Sequence, residues 1–233
     1  MKVIVYGASG MVGQGVLREC LLDPDVERVL VIGRRSLGRS AAVGDAAKLV
    51  ERVVPDLTNL SAIEADLAGY DACFFCLGVA SAGMTEAAYR AVTYDIAVAA
   101  GEAIARRSPN LTFVFVSGAG TDTTEKTGPM WARVKGAAEN ALLKMPFKAA
   151  YMFRPGVIQP LHGIKSRTTL YRIFYAVLWP LVALIKVLSP ASVTTTERIG
   201  RAMLAAAKGG APQTYLTNKD INALAASSAT VPA

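Results

Sequence analysis

Cysteine and histidine are scarce in this 233-residue chain, and so are charged residues, at 18%. Three cysteines, Cys20, Cys73 and Cys76, are too few for a disulfide framework, so a reducing cytoplasm is the expected compartment. Two of them form CFFC, but they lie inside YDACFFCLG, which reads as a buried strand. Positions i and i+3 of a strand face opposite ways, and redox pairs use a helix N-terminus to stabilise their thiolate. Both cysteines are therefore read as core residues. At MKVIVYG a strand starts at once, without a basic leader, an apolar stretch and a cleavage site, so no secretory signal is expected. The apolar segment at 170–188, LYRIFYAVLWPLVALIKVL, has only 13 uncharged residues between Arg172 and Lys186, and Pro180 is among them. Spanning a bilayer takes about 20.

What is present is apolar mass and positive charge. Apolar residues make up 52% and mean hydropathy is +0.35, which implies a fully buried sheet or an apolar surface. Net charge is +7 and concentrated late in the chain. Between Pro160 and Lys208 stand Lys165, Arg167, Arg172, Lys186, Arg198, Arg201 and Lys208, with Glu197 the only acid. A solvated face explains such a run, and so does an anionic ligand or membrane. No aromatic-interleaved basic groove accompanies it, so nucleic acid is not an expected partner. No metal-ligand pattern is read either.

Apolar runs alternate with helical patterns. Strands are predicted at 2–6, 28–32, 49–54, 71–77, 111–117 and 147–153. Helices are predicted at 11–22, 61–67, 84–107 and 130–143. Ser61 with Glu64, and later Thr194 with Glu197, have the capping-box spacing. Strands apolar on both faces, alternating with helices, mean a parallel sheet covered on both sides. The fold class is therefore α/β, a Rossmann-type doubly wound parallel sheet. Residues 1–157 form this core. Residues 158–233 form a small C-terminal substrate region within the same domain, with helices at 170–188 and 194–208 and a last strand at 213–217. The tail AASSATVPA is expected to fray.

The loop after the first strand is GASGMVG. Gly7, Gly10 and Gly13, with Ser9, Met11 and Val12 between them, stand where a strand turns into a helix. Glycines there let the backbone approach a pyrophosphate, and the helix N-terminus favours its charge. An NAD site places an acid at the end of the second strand, about 20 residues after the glycines, for the ribose 2′-hydroxyl. This chain has IGRR, and Arg34 and Arg35 suit a phosphate instead. NADP(H) is expected over NAD(H).

These residues resemble the atypical branch of the short-chain dehydrogenase/reductase superfamily, whose GxxGxxG spacing GASGMVG matches. Members similar to Tat-interacting protein and to NAD(P)H-binding epimerase/dehydratases resemble it most. The resemblance runs from Met1 to about Gln159. It implies that Asp56 and Leu57 contact adenine and that Leu77 and Gly78, after Cys76, lie beside the adenine ribose. It also implies that Pro155, Gly156 and Val157 bracket the nicotinamide. Lys135 resembles the active-site lysine, which in the family also binds the nicotinamide ribose. Family enzymes carry YxxxK, in which the lysine lowers the pKa of a tyrosine one turn away. Here WARVK puts Trp131 at the tyrosine position, and an indole does not titrate usefully. No tyrosine lies between Tyr94 and Tyr151. Ser117 is the expected counterpart of the family serine, with Thr121 the next hydroxyl. His162, Tyr89 and Tyr94 are candidate substitutes for the tyrosine, and each has a plainer reading as a surface or packing residue. Ser117, Lys135 and His162 form the candidate catalytic set.

Two functions stay open. One is an oxidoreductase or epimerase-like enzyme acting on a small, apolar substrate. The other is a non-catalytic NADP(H)-binding sensor. The helix expected over 170–188 carries one stripe of Leu170, Phe174, Val177, Leu181, Leu184 and Leu188, which fits a substrate lid or homodimer helix, or a helix lying in a lipid interface with Arg172 and Lys186 snorkelling.

Overall fold

The computed structural model describes residues 1–38, 44–164 and 192–227. Seven strands form one parallel sheet in the order β3-β2-β1-β4-β5-β6-β9. In chain order the first six are β1 (Lys2–Tyr6), β2 (Arg28–Gly33), β3 (Leu49–Val53), β4 (Ala72–Phe75), β5 (Thr112–Val116) and β6 (Ala149–Phe153), and β9 is Tyr215–Leu216. This is the expected doubly wound fold.

Strand alternation divides the core into two. Val3, Val5, Val29, Val31, Phe74 and Val114 face one side, where they meet α1 (Met11–Leu22) and α5 (Thr196–Gly209). Their neighbours Ile4, Tyr6, Leu30, Ile32, Phe75, Phe113 and Phe115 face the other, against α3 (Ile96–Arg107) and α4 (Met130–Leu143). Apolar residues at successive positions of β1, β2, β4 and β5, which point to alternate faces, give a sheet buried on both sides. Phe75 stacks on Tyr6 at 5.1 Å between ring centroids and meets Phe115 at 5.7 Å, which fills the second face with aromatic contacts.

Several local expectations need correction. Ser61 does not cap the turn at 61–67: Leu60 holds that position, and Ser61 donates to Asn59 while Glu64 pairs with Arg106 and Arg107. The cap of α5 is Thr195, one residue later than expected, and its hydroxyl accepts from the Arg198 N–H at 3.0 Å. Thr194 belongs instead to β8 (Val193–Thr195), a short strand paired in parallel with β7 (Val157–Gln159). The helix expected over 84–107 starts later, as α2 (Glu86–Arg90) capped by Thr85. A π turn at Ala91–Asp95 separates it from α3. A final helix, α6 (Asn218–Ser227), had no counterpart in the sequence reading. The segment 170–188 lies outside the described residues. Among the described residues no helix is long and apolar enough to cross a membrane.

Candidate functional site

The sheet order reverses between β1 and β4, and the crevice at the carboxyl ends of those strands is where open α/β sheets take ligands. The glycine loop sits there. Gly7 has φ +76, open to glycine at little cost, and a Cβ on it would stand 2.5 Å from the Leu77 nitrogen. The loops after β1 and β4 thus touch through a residue with no side chain. The Gly10 N–H donates to the Gly7 carbonyl at 2.9 Å, and Gly10 is the N-cap of α1, whose first turn has no acid. A Cβ on Gly10 would meet only the Gly7 oxygen, at 3.3 Å. The loop is therefore closed on the protein side by Gly7 and Gly13 and open at Gly10, which fits a pyrophosphate approaching the helix N-terminus. Ser9, Met11 and Val12 complete the turn, half-buried, and the Ser9 carbonyl accepts from Gln14 at 3.2 Å.

Arg34 and Arg35 follow β2. Both are exposed, and neither has an ion-pair partner among the described residues. Glu51 on β3 approaches the same turn, but its carboxylate accepts from the Ser36 hydroxyl at 2.9 Å and the Leu37 N–H at 3.0 Å. That acid shapes the turn and forms no ion pair with either guanidinium among the described residues. Asp56 accepts both the N–H and the hydroxyl of Thr58, the latter at 2.6 Å, and the Thr58 hydroxyl bond does most to hold its carboxyl below the usual range. Leu57 is buried, Leu77 is half-buried and Gly78 is exposed.

Two of the candidate catalytic residues, Ser117 and Lys135, gather at the ends of β5 and β6. The Lys135 ammonium donates to the Ser117 carbonyl at 2.5 Å. Burial brings Lys135 down to about 8, opposed by the nearby charge of Glu139. The Ser117 hydroxyl is buried and donates to Glu139 at 2.5 Å. Glu139 is fully buried and also takes Arg154, through Nε at 3.0 Å and through a second, shorter bond from Nη2. Trp131 lies over the loop after β5: a Cβ on Gly120 would meet its ring at 3.6 Å. Thr121, also in that loop, donates its hydroxyl to the Gly118 carbonyl at 2.7 Å. The Ala119 N–H donates to the Pro155 carbonyl at 2.9 Å, so this loop is tied to the Pro155–Gly156–Val157 turn. Asn218 of α6 holds that turn in place, accepting from the Gly156 N–H at 3.1 Å and donating to the Val157 carbonyl at 3.2 Å.

The structure thus brings Ser117, Lys135, Trp131 and the 155–157 turn together. It places His162 elsewhere. The His162 imidazole pairs with Glu197 at 2.7 Å, near Glu19, on the α1–α5 side. Those carboxylates already face cations, since Arg18 and Arg201 pair with Glu19 and Arg201 pairs with Glu197 at 3.0 Å. Tyr89 is buried, and Tyr94 carries the Arg90 guanidinium 3.8 Å from its ring centroid. Burial pushes the thiols of Cys73 and Cys76 up, away from a reactive thiolate. The sequence reading missed Glu51, Glu139, Arg154 and Asn218. Glu139 had a signal in its i+4 spacing from Lys135, and Arg154 in FRPGV; the other two had none.

Residues 3–130 match the family model described as "NAD dependent epimerase/dehydratase family". Protein fmp52, mitochondrial, of Emericella nidulans is 29% identical over 160 residues, covering 67% of this chain and 66% of that protein. Protein HTATIP2 of Rattus norvegicus is 28% identical over 157 residues, covering 67% of this chain and 62% of that protein. The chain thus spans just under two thirds of the length of either relative. Among solved structures, the Bordetella bronchiseptica enzyme WbmF in complex with NAD+ superposes with a TM-score of 0.66 at 15% identity, over 97% of this chain and 77% of that one, which shows a shared fold. One expectation is overturned here: the fungal relatives are named mitochondrial, which contradicts a cytoplasmic location read from unpaired cysteines. The family match covers more than half of the chain and includes both the glycine cradle and the β2 turn, so this protein belongs to the NAD dependent epimerase/dehydratase family.

Proposed function

We propose that this protein binds NADP(H) in the Gly7–Gly13 cradle and acts as an oxidoreductase or epimerase-like enzyme on a small, apolar substrate. The observation that carries the cofactor choice is the turn after β2. Arg34 and Arg35 are exposed there, and the acid that approaches the turn, Glu51, is engaged by Ser36 and Leu37. A 2′-phosphate would gain charge-assisted hydrogen bonds from these guanidiniums, whereas a 2′-hydroxyl would find no carboxylate. When bound, the nicotinamide supplies or accepts hydride. The chain's own part is to seat the pyrophosphate at the start of α1, and to hold the nicotinamide end between Lys135 and the Pro155–Val157 turn.

A second reading, a nucleotide-binding sensor without turnover, is favoured by Trp131. Its indole does not titrate as an acid or base near neutral pH, and the Ser117 hydroxyl is committed to Glu139. NADPH absorbance loss across aldehydes, ketones and quinones separates the two. Turnover on any of the panel supports the enzyme. Tight NADPH binding without turnover, paired with a nucleotide-dependent change in partner binding, supports the sensor.

A further inference from the structure

We propose that Lys135 is the proton-transferring group of this site, and that Glu139 is the positioning residue that holds it in that role. The proposal rests on the nucleotide-dependent enzyme reading above. Four observations lead to it. The residue one turn before Lys135 is Trp131, which does not titrate. The nearby hydroxyl of Ser117 is buried and donates to Glu139 at 2.5 Å. His162 is paired with Glu197 on the α1–α5 side. Among the described residues, what remains at the junction of β5, β6 and α4 is the half-buried Lys135 ammonium. One of its three protons goes to the Ser117 carbonyl at 2.5 Å, which leaves two for other acceptors.

Glu139 sits one helical turn beyond Lys135, on the same face of α4. It is fully buried, yet it accepts three hydrogen bonds: two from Arg154 and one from Ser117. Its charge favours the ammonium form of Lys135, against the desolvation that favours the amine. It also removes the Ser117 hydroxyl as a rival proton donor and leaves the Ser117 carbonyl to orient Nζ. Arg154, at the end of β6, moderates the field that Lys135 feels. Two further charged groups beside α4 have partners of their own. Asp122 bonds Thr124 and Thr127, and Arg133 pairs with Glu86 at 2.7 Å. In the step itself, a substrate oxygen gaining negative charge takes a proton from Nζ. The neutral amine then regains one from water, and the reverse reaction inverts both transfers. A lysine balanced near neutrality between burial and a buried carboxylate can do this, whereas an ordinary surface lysine holds its proton too firmly.

The test reads Lys135 directly in the nucleotide-free protein. Competitive acetylation with acetic anhydride across the neutral and alkaline range, quantified on the Lys135 peptide by mass spectrometry, gives its protonation midpoint. The parent should titrate near 8, and Glu139→Gln should lower the midpoint by about one pH unit or more. Arg154→Gln should raise it, since the Glu139 charge is then less compensated. If Glu139→Gln does not fold, judged by circular dichroism, the parent and Arg154→Gln values decide. An ordinary lysine midpoint in the parent would overturn the proposal, as would unchanged midpoints in the folded variants. In NADPH-driven turnover, the alkaline limb of the pH profile should move with the labelling midpoint. Failure of NADPH to bind the parent, measured by calorimetry, would remove the nucleotide reading and leave the labelling result to judge Glu139 by itself.

Discussion

Gly13 is packed against Gly7 so closely that a Cβ on it would stand 2.6 Å from the Gly7 carbonyl carbon and 2.9 Å from the Ala8 Cα. Gly10, three residues earlier, would meet one atom at 3.3 Å. The glycine triplet therefore serves two purposes. Gly7 and Gly13 let α1 come down on the loop after β1, and Gly10 leaves the outer side clear for a ligand.

Substitutions should separate these purposes. Gly13→Ala forces backbone against backbone, and overpacking of this kind costs about 1–3 kcal/mol of stability. Gly10→Val should leave the urea midpoint near that of the parent and abolish nucleotide binding. Normal NADPH affinity in folded Gly10→Val would show that the cradle is misassigned.

Trp131→Tyr places a phenol one turn from Lys135 on the same face of α4. A positioned acid–base group contributes about 10²–10⁴-fold. The variant is expected to gain NADPH-dependent carbonyl reduction over the parent, in part only, because the indole also covers the Gly118–Gly120 loop. The assay is NADPH absorbance loss on one carbonyl panel for both proteins. Brisk turnover by the parent, slowed by the change, would show that the indole itself belongs to the working site.

Lys135 also gives stability a pH dependence of known sign. Its folded value, about 8, lies below the ordinary 10.5, so the folded state disfavours the ammonium. The resulting cost is fully present below about 8 and is relieved as pH rises toward 10.5, where the unfolded chain binds more protons than the folded one. Its full size is about 3 kcal/mol. Lys135→Met should therefore be more favourable, relative to the parent, at neutral pH than at about pH 10 in paired urea titrations. An equal difference at both pH values would contradict this.

Most of the sheet was legible because its strands are apolar on both faces and punctuated by glycine, proline and asparagine. Met130–Leu143 was legible to the residue, since Pro129 precedes it and its apolar positions recur with helical spacing. The Thr194–Thr195–Thr196 run offered three equivalent hydroxyls, and only the pairing of β7 with β8 decides that Thr195 caps α5. Strands of three residues, such as β7 and β8, are too short to show a period. The π turn at Ala91–Asp95 inserts a residue into a helix whose composition does not change. Glu139 illustrates the limit for the site. An acid in an Ala-rich helix reads as solvent-facing, and it becomes a buried hub only when Ser117 from β5 and Arg154 from β6 arrive from distant parts of the chain.

The most direct measurement is calorimetric titration of NADPH and NADH into the parent and into Arg34→Ala. Losing a charge-assisted bond to the 2′-phosphate costs about 1.5–3 kcal/mol. The parent should bind NADPH more tightly than NADH by roughly tenfold or more, and Arg34→Ala should lose most of that preference while NADH affinity barely changes. Equal affinities for the two nucleotides in the parent would contradict the account.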